Sequence, residues 1–174
     1  MIFITLGTTN FQLDRLIKTI DSIMTKNKSS EKLIIQNKNQ KYKTKYQNTI
    51  TYHQITYQKL IHCFSKARII ITHAGASSIF QALKYGKNIP MVIPRYKKYS
   101  EHINNHQVNF AKSLFQQKYP IKIIFDNPNL KKLIQQHMQN PTKIKQKKKF
   151  QLLCSNTLIN NLNNYCQKIN QPLA

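Results

Sequence analysis

The sequence predicts an α/β fold built on a doubly wound, mostly parallel sheet, and three observations lead to this prediction. Short apolar runs alternate with segments of helical periodicity about six times along the chain. Most runs are unbroken and rich in β-branched residues, as strands are when both faces of a sheet are covered. Two glycine turns, at Gly7 and Gly75, each follow a predicted strand and precede a predicted helix. Both turns therefore fall at the carboxyl edge of the sheet, where such folds bind ligands.

The first half of the chain begins with the apolar run Met1 to Leu6, the Gly7 turn and a helix over Phe11 to Met24. Asn10 is the candidate cap of that helix, since its side chain suits an N-terminus. The lysine-rich stretch from Asn37 to Asn48 predicts an exposed loop. The other elements predicted here are strands over residues 33–35, 50–55 and 68–72 and a helix over residues 57–65.

The second half repeats the alternation up to Pro141, which interrupts the last helix. Its predicted helices cover residues 77–85, 101–118 and 129–138, and its predicted strands cover residues 90–93 and 121–125. Gly86 directly follows the first of these helices, as a C-terminal cap does. The sequence thus predicts a Rossmann-like, ligand-binding domain over residues 1–140.

The segment after residue 140 differs in composition. Residues 142–149 carry five lysines, and from Phe150 onward apolar residues recur at helical spacing. We interpret residues 141–174 as a basic segment followed by a C-terminal helix. Three roles remain open for that helix: docking on a partner chain, lying on an anionic bilayer, or packing on the chain's own sheet.

The net charge is unusually high, with 28 Lys and Arg against five acidic residues, for +23. Nucleic acid, an anionic membrane and a genome that favours lysine codons each account for such a charge. The chain has no recognisable nucleic-acid-binding motif, so we expect no specific nucleic-acid partner. No two acidic residues stand closer than seven positions, which leaves no Asp-x-Asp pair for Mg²⁺ or Mn²⁺. The scarcity of carboxylates argues against a metal cofactor and against hydrolysis by paired carboxylates.

Targeting and redox signals are few. The apolar start, Met1 to Leu6, is too short for the core of a signal peptide and has no basic region before it. No apolar run approaches the roughly 18 residues of a membrane-spanning helix. Cys63, Cys154 and Cys166 are widely spaced and predict buried, reduced thiols. We therefore expect a cytoplasmic chain.

The segment after the strongest predicted strand carries the clearest chemistry. It is made almost wholly of small residues: His73, Ala74, Gly75, Ala76, Ser77 and Ser78. Small side chains let backbone N–H groups approach an anion, and the next helix presents its positive N-terminus to the same place. This arrangement suits a diphosphate; the alternative is a tight strand-helix junction that needs Gly75 only for its geometry. Gln81 is placed for hydrogen bonds to a ribose diol or is an ordinary surface glutamine.

Two further segments supply candidate site residues. Four groups suited to sugar hydroxyls follow a predicted strand, and we expect them to open a helix: Glu101, Asn105, His106 and Gln107. The alternative is a polar loop and first helical turn without a ligand. A weaker phosphate-loop candidate is the turn formed by Gly7, Thr8 and Thr9. We interpret three isolated histidines as structural or solvated: His53, His62 and His137.

Taken together, these segments resemble the C-terminal, donor-binding domain of glycosyltransferase family 28. The start IFITLGTT, with FQLDRLI after it, is similar to the family pattern VTLGTxxxxFDRLI. The segment ITHAGASSI is similar to ISHAGAGSI. VIPR, with EH and NHQ downstream, is similar to VVPR…EHxxxHQ. The order and spacing agree over about Met1 to Phe125.

The resemblance implies one half of a GT-B fold, with a UDP-sugar bound in a cleft between two Rossmann-like halves. It implies that residues 75–78 meet the diphosphate, that the Gly7 turn lines the cleft, and that residues 101–107 approach the sugar and the nucleotide. The full implied donor set is Gly7, Thr8, Thr9, His73, Ala74, Gly75, Ala76, Ser77, Ser78, Gln81, Arg95, Glu101, His102, Asn105, His106 and Gln107. No metal ion bound by the protein is implied, because helix dipoles and backbone donors stabilise the leaving diphosphate.

Chain length narrows the likeness to stand-alone catalytic subunits of two-component enzymes. These include the β-1,4-glycosyltransferase pairs of capsule and exopolysaccharide synthesis and the dolichol-linked UDP-GlcNAc transferase. The expected function is inverting transfer of a hexose or N-acetylhexosamine from a UDP-sugar to a lipid-linked saccharide. A membrane-anchored partner subunit is expected to bind the acceptor and to hold this chain at the inner face of the membrane.

The catalytic base is the least defined part of this expectation. A base must take the proton of the acceptor hydroxyl, and His73 and Glu101 are the candidates in this chain, with the partner as the other source. Relatives have Glu where this chain has Gln81, which loses a charge-assisted bond to the ribose. Ser77 replaces the second glycine of the HAGAGS pattern and suits a helix N-terminus. The change at Gln81 keeps a second hypothesis open, a non-catalytic subunit that binds a nucleotide-sugar or activates its partner.

Overall fold

The computed structural model describes residues 1–39, 41–126 and 128–144. Its strands are β1 Ile2–Thr5, β2 Leu33–Gln36, β3 Thr49–Tyr52, β4 Ile69–Thr72, β5 Met91–Val92 and β6 Lys122–Ile123. Its helices are α1 Asp14–Lys26, α2 Tyr57–Lys66, α3 Ala76–Tyr85, α4 His106–Gln116 and α5 Leu130–Gln139, with a 3₁₀ turn over Lys97–Tyr99. Three features of the sequence analysis lie outside the described residues: most of the basic segment, the C-terminal helix from Phe150, and both Cys154 and Cys166.

The described strands form one sheet in the order β3-β2-β1-β4-β5-β6, and every pairing among them is parallel. The prediction of a doubly wound α/β fold is confirmed, and the described sheet is wholly rather than mostly parallel. The chain reverses its direction of winding between β1 and β4, which are paired with Thr5 opposite Thr72. This reversal is the topological switch point, where open α/β sheets form a crevice for ligands.

Alternation of side chains along the central strands builds a core on each face of the sheet. Ile2 and Ile4 of β1 pack on the face covered by α1 and α5. Phe3 packs on the opposite face, with Phe64 of α2 and Ile70 of β4. These strands are fully buried because helices cover both faces, whereas β3 at the edge is largely exposed.

The first helix begins later than its periodicity predicts. It starts at Asp14, with Leu13 at the capping position and no side-chain cap. The prediction that Asn10 caps this helix is therefore wrong; the carbonyl of Asn10 instead accepts a hydrogen bond from Asn39 Nδ2 at 2.7 Å. Asp14 stands in the first turn, where a carboxylate is stabilised by the helix dipole. Residues 7–13 are left as a loop above the carboxyl edge, called here the Gly7 loop.

The predicted helix over residues 101–118 is also shorter than expected. The chain leaves β5 through the 3₁₀ turn, and Ser100, with φ 55°, ends that turn in a left-handed conformation. Helix α4 begins only at His106, so Glu101 lies before the helix rather than opening it. The carboxylate of Glu101 turns inward to Arg15, a contact that no helical periodicity predicts.

Gly86 ends α3 as predicted, but for a different reason. Its φ is −69°, so it is not the left-handed cap that usually favours glycine. A Cβ at this position would stand 2.4 Å from the carbonyl oxygen of Ala82 and 2.6 Å from Cδ1 of Ile70. A side chain here would therefore collide with the last turn of α3 itself and with the side chain of Ile70 on β4.

The lysine-rich loop before β3 is exposed as predicted, yet it has a buried anchor. The carboxylate of Asp21 accepts hydrogen bonds from the backbone N–H groups of Lys45 and Tyr46, at 2.9 and 2.8 Å. It also accepts one from the hydroxyl of Tyr42 at 2.7 Å. Asp21 itself is 2% exposed, so α1 fixes this loop from within.

The last described residues return to the sheet. Thr142 accepts a hydrogen bond from the backbone of Ile89, and Ile144 donates one to Lys87 and is buried. Cys63 is buried and unpaired, as predicted, and burial raises its pKa. Over the described ranges, no helix combines the length and the apolar character needed to cross a bilayer.

We predict that Asp21→Ala lowers the free energy of unfolding by about 3 kcal/mol, because the buried N–H of Tyr46 and the part-buried N–H of Lys45 lose their carboxylate acceptor. Urea unfolding followed by circular dichroism measures the change. Asp126→Ala, which removes a largely exposed carboxylate, is the control and should have a much smaller effect. Equal losses for the two variants would contradict the anchoring role of Asp21.

Candidate functional site

The imidazole of His73 fills the space between the two glycine turns at the switch point. A Cβ on Gly75 would stand 2.3 Å from His73 Nε2, and a Cβ on Gly7 would stand 2.8 Å from His73 Cε1. Both distances are shorter than non-bonded carbon contacts allow. Gly7 has a second reason to be glycine, because its φ is +73°. One ring thus explains the glycines of two motifs that lie 68 positions apart.

Burial governs the proton on His73. Removal from water, together with the charge of the buried guanidinium of Arg95, lowers the pKa of this imidazole to about 3. The ring is therefore neutral near pH 7. Its Nδ1 stands 3.4 Å from the carbonyl oxygen of Thr5, which assigns the proton to Nδ1. Nε2 is left with its lone pair directed between Gly7 and Gly75.

A cavity of about 460 Å³ opens at this point of the sheet and is called here the switch-point pocket. Nine of the predicted site residues line it: Gly7, Thr8, Thr9, His73, Gly75, Ala76, Ser77, Ser78 and Gln81. The first turn of α3 borders the pocket, with Gly75 at the N-cap, so backbone N–H groups that lack helical partners open onto it. Among the residues that the structure describes, its lining contains no Asp, Glu, Lys or Arg.

Gln36 is a site residue that the sequence analysis missed. Its Oε1 accepts hydrogen bonds from Thr5 Oγ1 at 2.7 Å and from the N–H of Gly7 at 3.2 Å. Its Nε2 donates to the carbonyl of Gly7 at 2.9 Å. Gln36, at the end of the neighbouring strand β2, therefore holds both the N–H and the carbonyl of Gly7. The available signal was a polar residue ending the apolar run LIIQ at the carboxyl edge. The sequence also did not single out Gln54, Ile55 and Leu60, which complete the pocket.

Gln81 presents an unused acceptor to the pocket. Its Nε2 donates to Ser77 Oγ at 2.9 Å, which orients the amide. Its Oε1 is buried and has no hydrogen-bond partner among the described residues, and the same holds for Oγ1 of Thr9. A buried polar atom without a partner costs about 1–3 kcal/mol, so a ligand hydroxyl that binds Oε1 gains that much in return.

Arg95 lies beneath the Gly7 loop and not in the lining of the pocket. The residue is 0% exposed, and its Nη2 donates to the carbonyls of Leu6 and Phe11 at 2.8 and 3.0 Å. The side chain of Gln107, also buried, accepts the backbone N–H of Arg95 at 3.1 Å. Burial lowers the pKa of Arg95 to about 10, so the group stays charged. The structure thus gives Arg95 and Gln107 supporting positions behind the site.

Glu101 is held in an ion pair that crosses the carboxyl edge. Arg15 donates to its carboxylate through Nε at 2.7 Å and Nη2 at 3.2 Å, and the N–H of Tyr96 donates at 3.1 Å. Burial raises the pKa of Glu101, while Arg15 opposes that rise. Glu101 lines a second, larger cavity of about 750 Å³, called here the acidic cleft, on the other side of the Gly7 loop.

The remaining predicted residues lie outside the lining of the pocket. The ring of His102 lies between that of Phe11, tilted against it at 4.9 Å, and that of His106, edge-to-face at 4.3 Å. Burial lowers the pKa of both histidines, with the charge of Arg95 as a further cause. Asn105 Oδ1 accepts the N–H of Lys97, and Ala74 is buried between α3 and α4. Within the described ranges, no three His, Cys, Asp or Glu side chains converge on a common point.

The family of this chain follows from comparison with known proteins. The sequence matches the glycosyltransferase family 28 C-terminal domain over residues 1–162. The chain belongs to this family. The resemblance noted from its motifs is confirmed, and the chain carries a glycosyltransferase domain whose described part has the Rossmann-like sheet set out above. The roles of individual residues remain predictions.

Two individual proteins are similar to this family 28 domain. One is the UDP-N-acetylglucosamine transferase subunit ALG13 of Yarrowia lipolytica, 36% identical over 55 residues. That match covers 32% of this chain and 26% of the relative, so the chain spans well under two thirds of that protein. The other is the crystal structure of a flavodoxin-like domain from a Synechococcus protein, with a TM-score of 0.43 and 14% identity. The structural match covers 80% of this chain and 92% of the Synechococcus domain.

We predict that Gly75→Ala destabilises the family 28 domain by about 1–3 kcal/mol, because the new methyl group overlaps the ring of His73. The φ of Gly75 is −88°, which alanine adopts freely, so His73→Ala in the same chain should remove most of that loss. Gly7→Ala should not be rescued in this way, because its φ of +73° remains strained. Urea unfolding of single and double variants measures the coupling, and additive losses for Gly75 and His73 would refute the contact.

We predict that acid weakens the fold through His73. Its folded-state pKa of about 3 lies below the ordinary 6.5, so between these values the unfolded chain binds a proton that the folded chain does not. The free energy of unfolding should therefore fall as the pH drops below about 6.5, by up to ~1.4 kcal/mol per pH unit. His137, whose pKa burial lowers to about 4, contributes with the same sign.

Urea unfolding between pH 7 and 5 measures this slope, before most carboxylates titrate. His73→Asn should flatten it, whereas His62→Asn, on the exposed side of α2, should not. An unchanged slope in His73→Asn would contradict the neutral, buried state of the ring.

Proposed function

We propose that this chain is the donor-binding, catalytic subunit of an inverting glycosyltransferase that uses a UDP-sugar. The transferred group is a hexose or N-acetylhexosamine, and the acceptor is a lipid-linked saccharide of polysaccharide biosynthesis. One observation carries the proposal above all. The Gly7 turn and the segment from His73 to Ser78, predicted separately as anion loops, line a single pocket at the switch point.

The chemistry of the switch-point pocket suits each part of a UDP group. A diphosphate matches the N–H groups of the first turn of α3, and the described part of the lining holds no carboxylate to repel it. The unused Oε1 of Gln81 suits a ribose hydroxyl. Ile55 and Leu60 provide an apolar wall for the flat base. A net charge of +23 adds long-range attraction for an anionic donor.

Stabilisation of the leaving UDP is the catalytic contribution that this site supports best. The N-terminus of α3 and the buried charge of Arg95 both favour the negative charge that develops on the diphosphate. The chain needs no metal ion for this role. An anion bound beside His73 also raises the pKa of that ring. Nε2 is then a stronger base for the proton of the sugar-accepting hydroxyl.

A second candidate function is a non-catalytic subunit that binds a nucleotide-sugar or activates its partner. Two observations favour it. The unliganded pKa of His73, about 3, is low for a general base, and the carboxylate of Glu101 is occupied by Arg15. In this case a membrane-anchored partner subunit supplies the base as well as the acceptor site. Under both proposals, the partner subunit holds the chain at the inner face of the membrane. The relative named above, from Yarrowia lipolytica, is itself a transferase subunit.

Calorimetric titration of the full chain with UDP, ADP and duplex DNA at moderate salt tests both candidates. We expect saturable binding of UDP, weaker binding of ADP, and only salt-sensitive association with DNA. No UDP binding would refute the catalytic function and the nucleotide-sugar-binding form of the second candidate together, and would leave only activation of the partner. Sugar transfer by the chain combined with its partner, lost in His73→Asn while UDP binding remains, would separate the catalytic candidate from the non-catalytic one.

We predict that Gln81→Glu tightens UDP binding about tenfold, because a charge-assisted bond to a ribose hydroxyl exceeds a neutral one by about 1–2 kcal/mol. Gln81→Leu should weaken it. The analogue 2′,3′-dideoxy-UDP lacks both ribose hydroxyls and is the matched control, so its affinity should be the same for all three proteins. Parallel changes with UDP and with the dideoxy analogue would place Gln81 away from the ribose.

A further inference from the structure

The acidic cleft and the switch-point pocket adjoin each other at the carboxyl edge of the sheet. Thr9 lines the pocket and Asn10, the next residue, lines the cleft. Consecutive Cα atoms are about 3.8 Å apart, so the Gly7 loop is a thin wall between the two cavities. Ligands bound in both would therefore meet at this loop.

The two cavities differ sharply in charge. Three of the five acidic residues of the chain line the cleft, namely Asp14, Glu101 and Asp126, and Arg15 is the one cation among the described residues of its lining. The described lining of the pocket has no acidic residue. A diphosphate is repelled by the cleft and accepted by the pocket, so the cleft is suited to a ligand without phosphate.

The hydrogen-bonding state of these carboxylates favours an uncharged ligand over a cation. Glu101 is paired with Arg15, and Asp126 is bound by Lys98 and by the hydroxyl of Tyr99. A cationic ligand would have to displace these partners and approach a chain of charge +23. Asp14 differs, because its Oδ1 is buried without a hydrogen-bond partner among the described residues. A neutral hydroxyl donor would satisfy that oxygen.

The rest of the lining combines polar groups with aromatic surface. Asn10 and Gln12 add amides beside Asp14, while Phe11 and Tyr99 add rings, that of Tyr99 being 46% exposed. A pyranose has a rim of hydroxyls and apolar C–H faces, which match amides and carboxylates on one side and aromatic rings on the other. The volume of about 750 Å³ lies within the range of small-molecule sites.

We propose that the acidic cleft binds an uncharged saccharide, namely the end of the acceptor that receives the sugar. The inference rests on the proposed function, since it takes the pocket as the site of the UDP-sugar. In this arrangement Asp14 accepts hydrogen bonds from acceptor hydroxyls, and a pyranose ring packs on Tyr99. The donor-binding chain then holds part of the acceptor site itself, rather than leaving all of it to a partner.

Backbone amide shifts of the full chain, measured by NMR, test the two cavities separately. The probes are UDP and three neutral trisaccharides: triacetylchitotriose, cellotriose and maltotriose. UDP should shift the amides of residues 7–9 and 75–78. At least one trisaccharide should shift those of residues 10–15 and 99–101, and should still bind when UDP is saturating. A trisaccharide that competes with UDP, or no response to any of the three at millimolar concentration, would overturn the proposal.

Variants then assign the contacts. Asp14→Asn and Tyr99→Ala should each raise the trisaccharide Kd about tenfold, the scale of one hydrogen bond to a charged group, and leave the UDP Kd unchanged. Tyr57→Ala removes another exposed ring, 58% exposed on α2 and outside the cleft, and should change neither. Unchanged trisaccharide affinity in both cleft variants would refute the assignment.

Two outcomes separate this inference from the function on which it rests. If Asp14→Asn weakens UDP-glucose or UDP-N-acetylglucosamine but not UDP, the cleft holds the sugar of the donor and the acceptor assignment is wrong. A response to a trisaccharide without any response to UDP would refute the proposed function instead, because the pocket would then lack its nucleotide.

Discussion

The contact of His73 with Gly7 and Gly75 is the constraint on which the site depends. The ring occupies the place where the first and fourth strands end side by side, and the two turns contact it through glycines, which have no side chain. A Cβ on Gly7 or Gly75 would push the ring out or the turns apart. The same ring, being buried and neutral, adds no charge of its own to the switch-point pocket, which leaves the dipole of α3 and the nearby charge of Arg95 to act on a bound anion. Geometry and electrostatics of the pocket therefore have a common cause.

A second set of polar contacts fixes the position of the Gly7 loop above the sheet. Gln36 holds the turn from the side, and Arg95 holds it from below through two carbonyl groups. Arg15 then ties the start of α1 to Glu101, which completes the frame on the far side of the loop. Each contact joins segments well separated in sequence. Several polar residues that look like ligands in the sequence are thus parts of the frame around the site.

The fold and the pocket were largely predictable, because both follow from local patterns. Unbroken apolar runs predicted buried parallel strands, and the small residues after β1 and β4 predicted where the sheet opens for a ligand. The interior of the segment between β5 and α4 was not predictable in the same way. In the sequence, Glu101 and Gln107 resemble sugar-binding groups. Only their long-range partners, Arg15 for Glu101 and Arg95 for Gln107, show that each side chain is held in place. Gln36 escaped notice because a lone glutamine at a strand end carries no motif.

The support of the Gly7 loop by Arg95 also sets an order of events during synthesis. The carbonyls of Leu6 and Phe11 are made 89 and 84 residues before the guanidinium that binds them. Ribosomes add roughly 5–20 residues per second, so the Gly7 loop waits several seconds for its support. The loop therefore cannot take its final, supported shape until residue 95 has been added. A nascent chain stalled just before residue 95 would contain the residues of β1 to β5 but not the guanidinium group that supports the Gly7 loop.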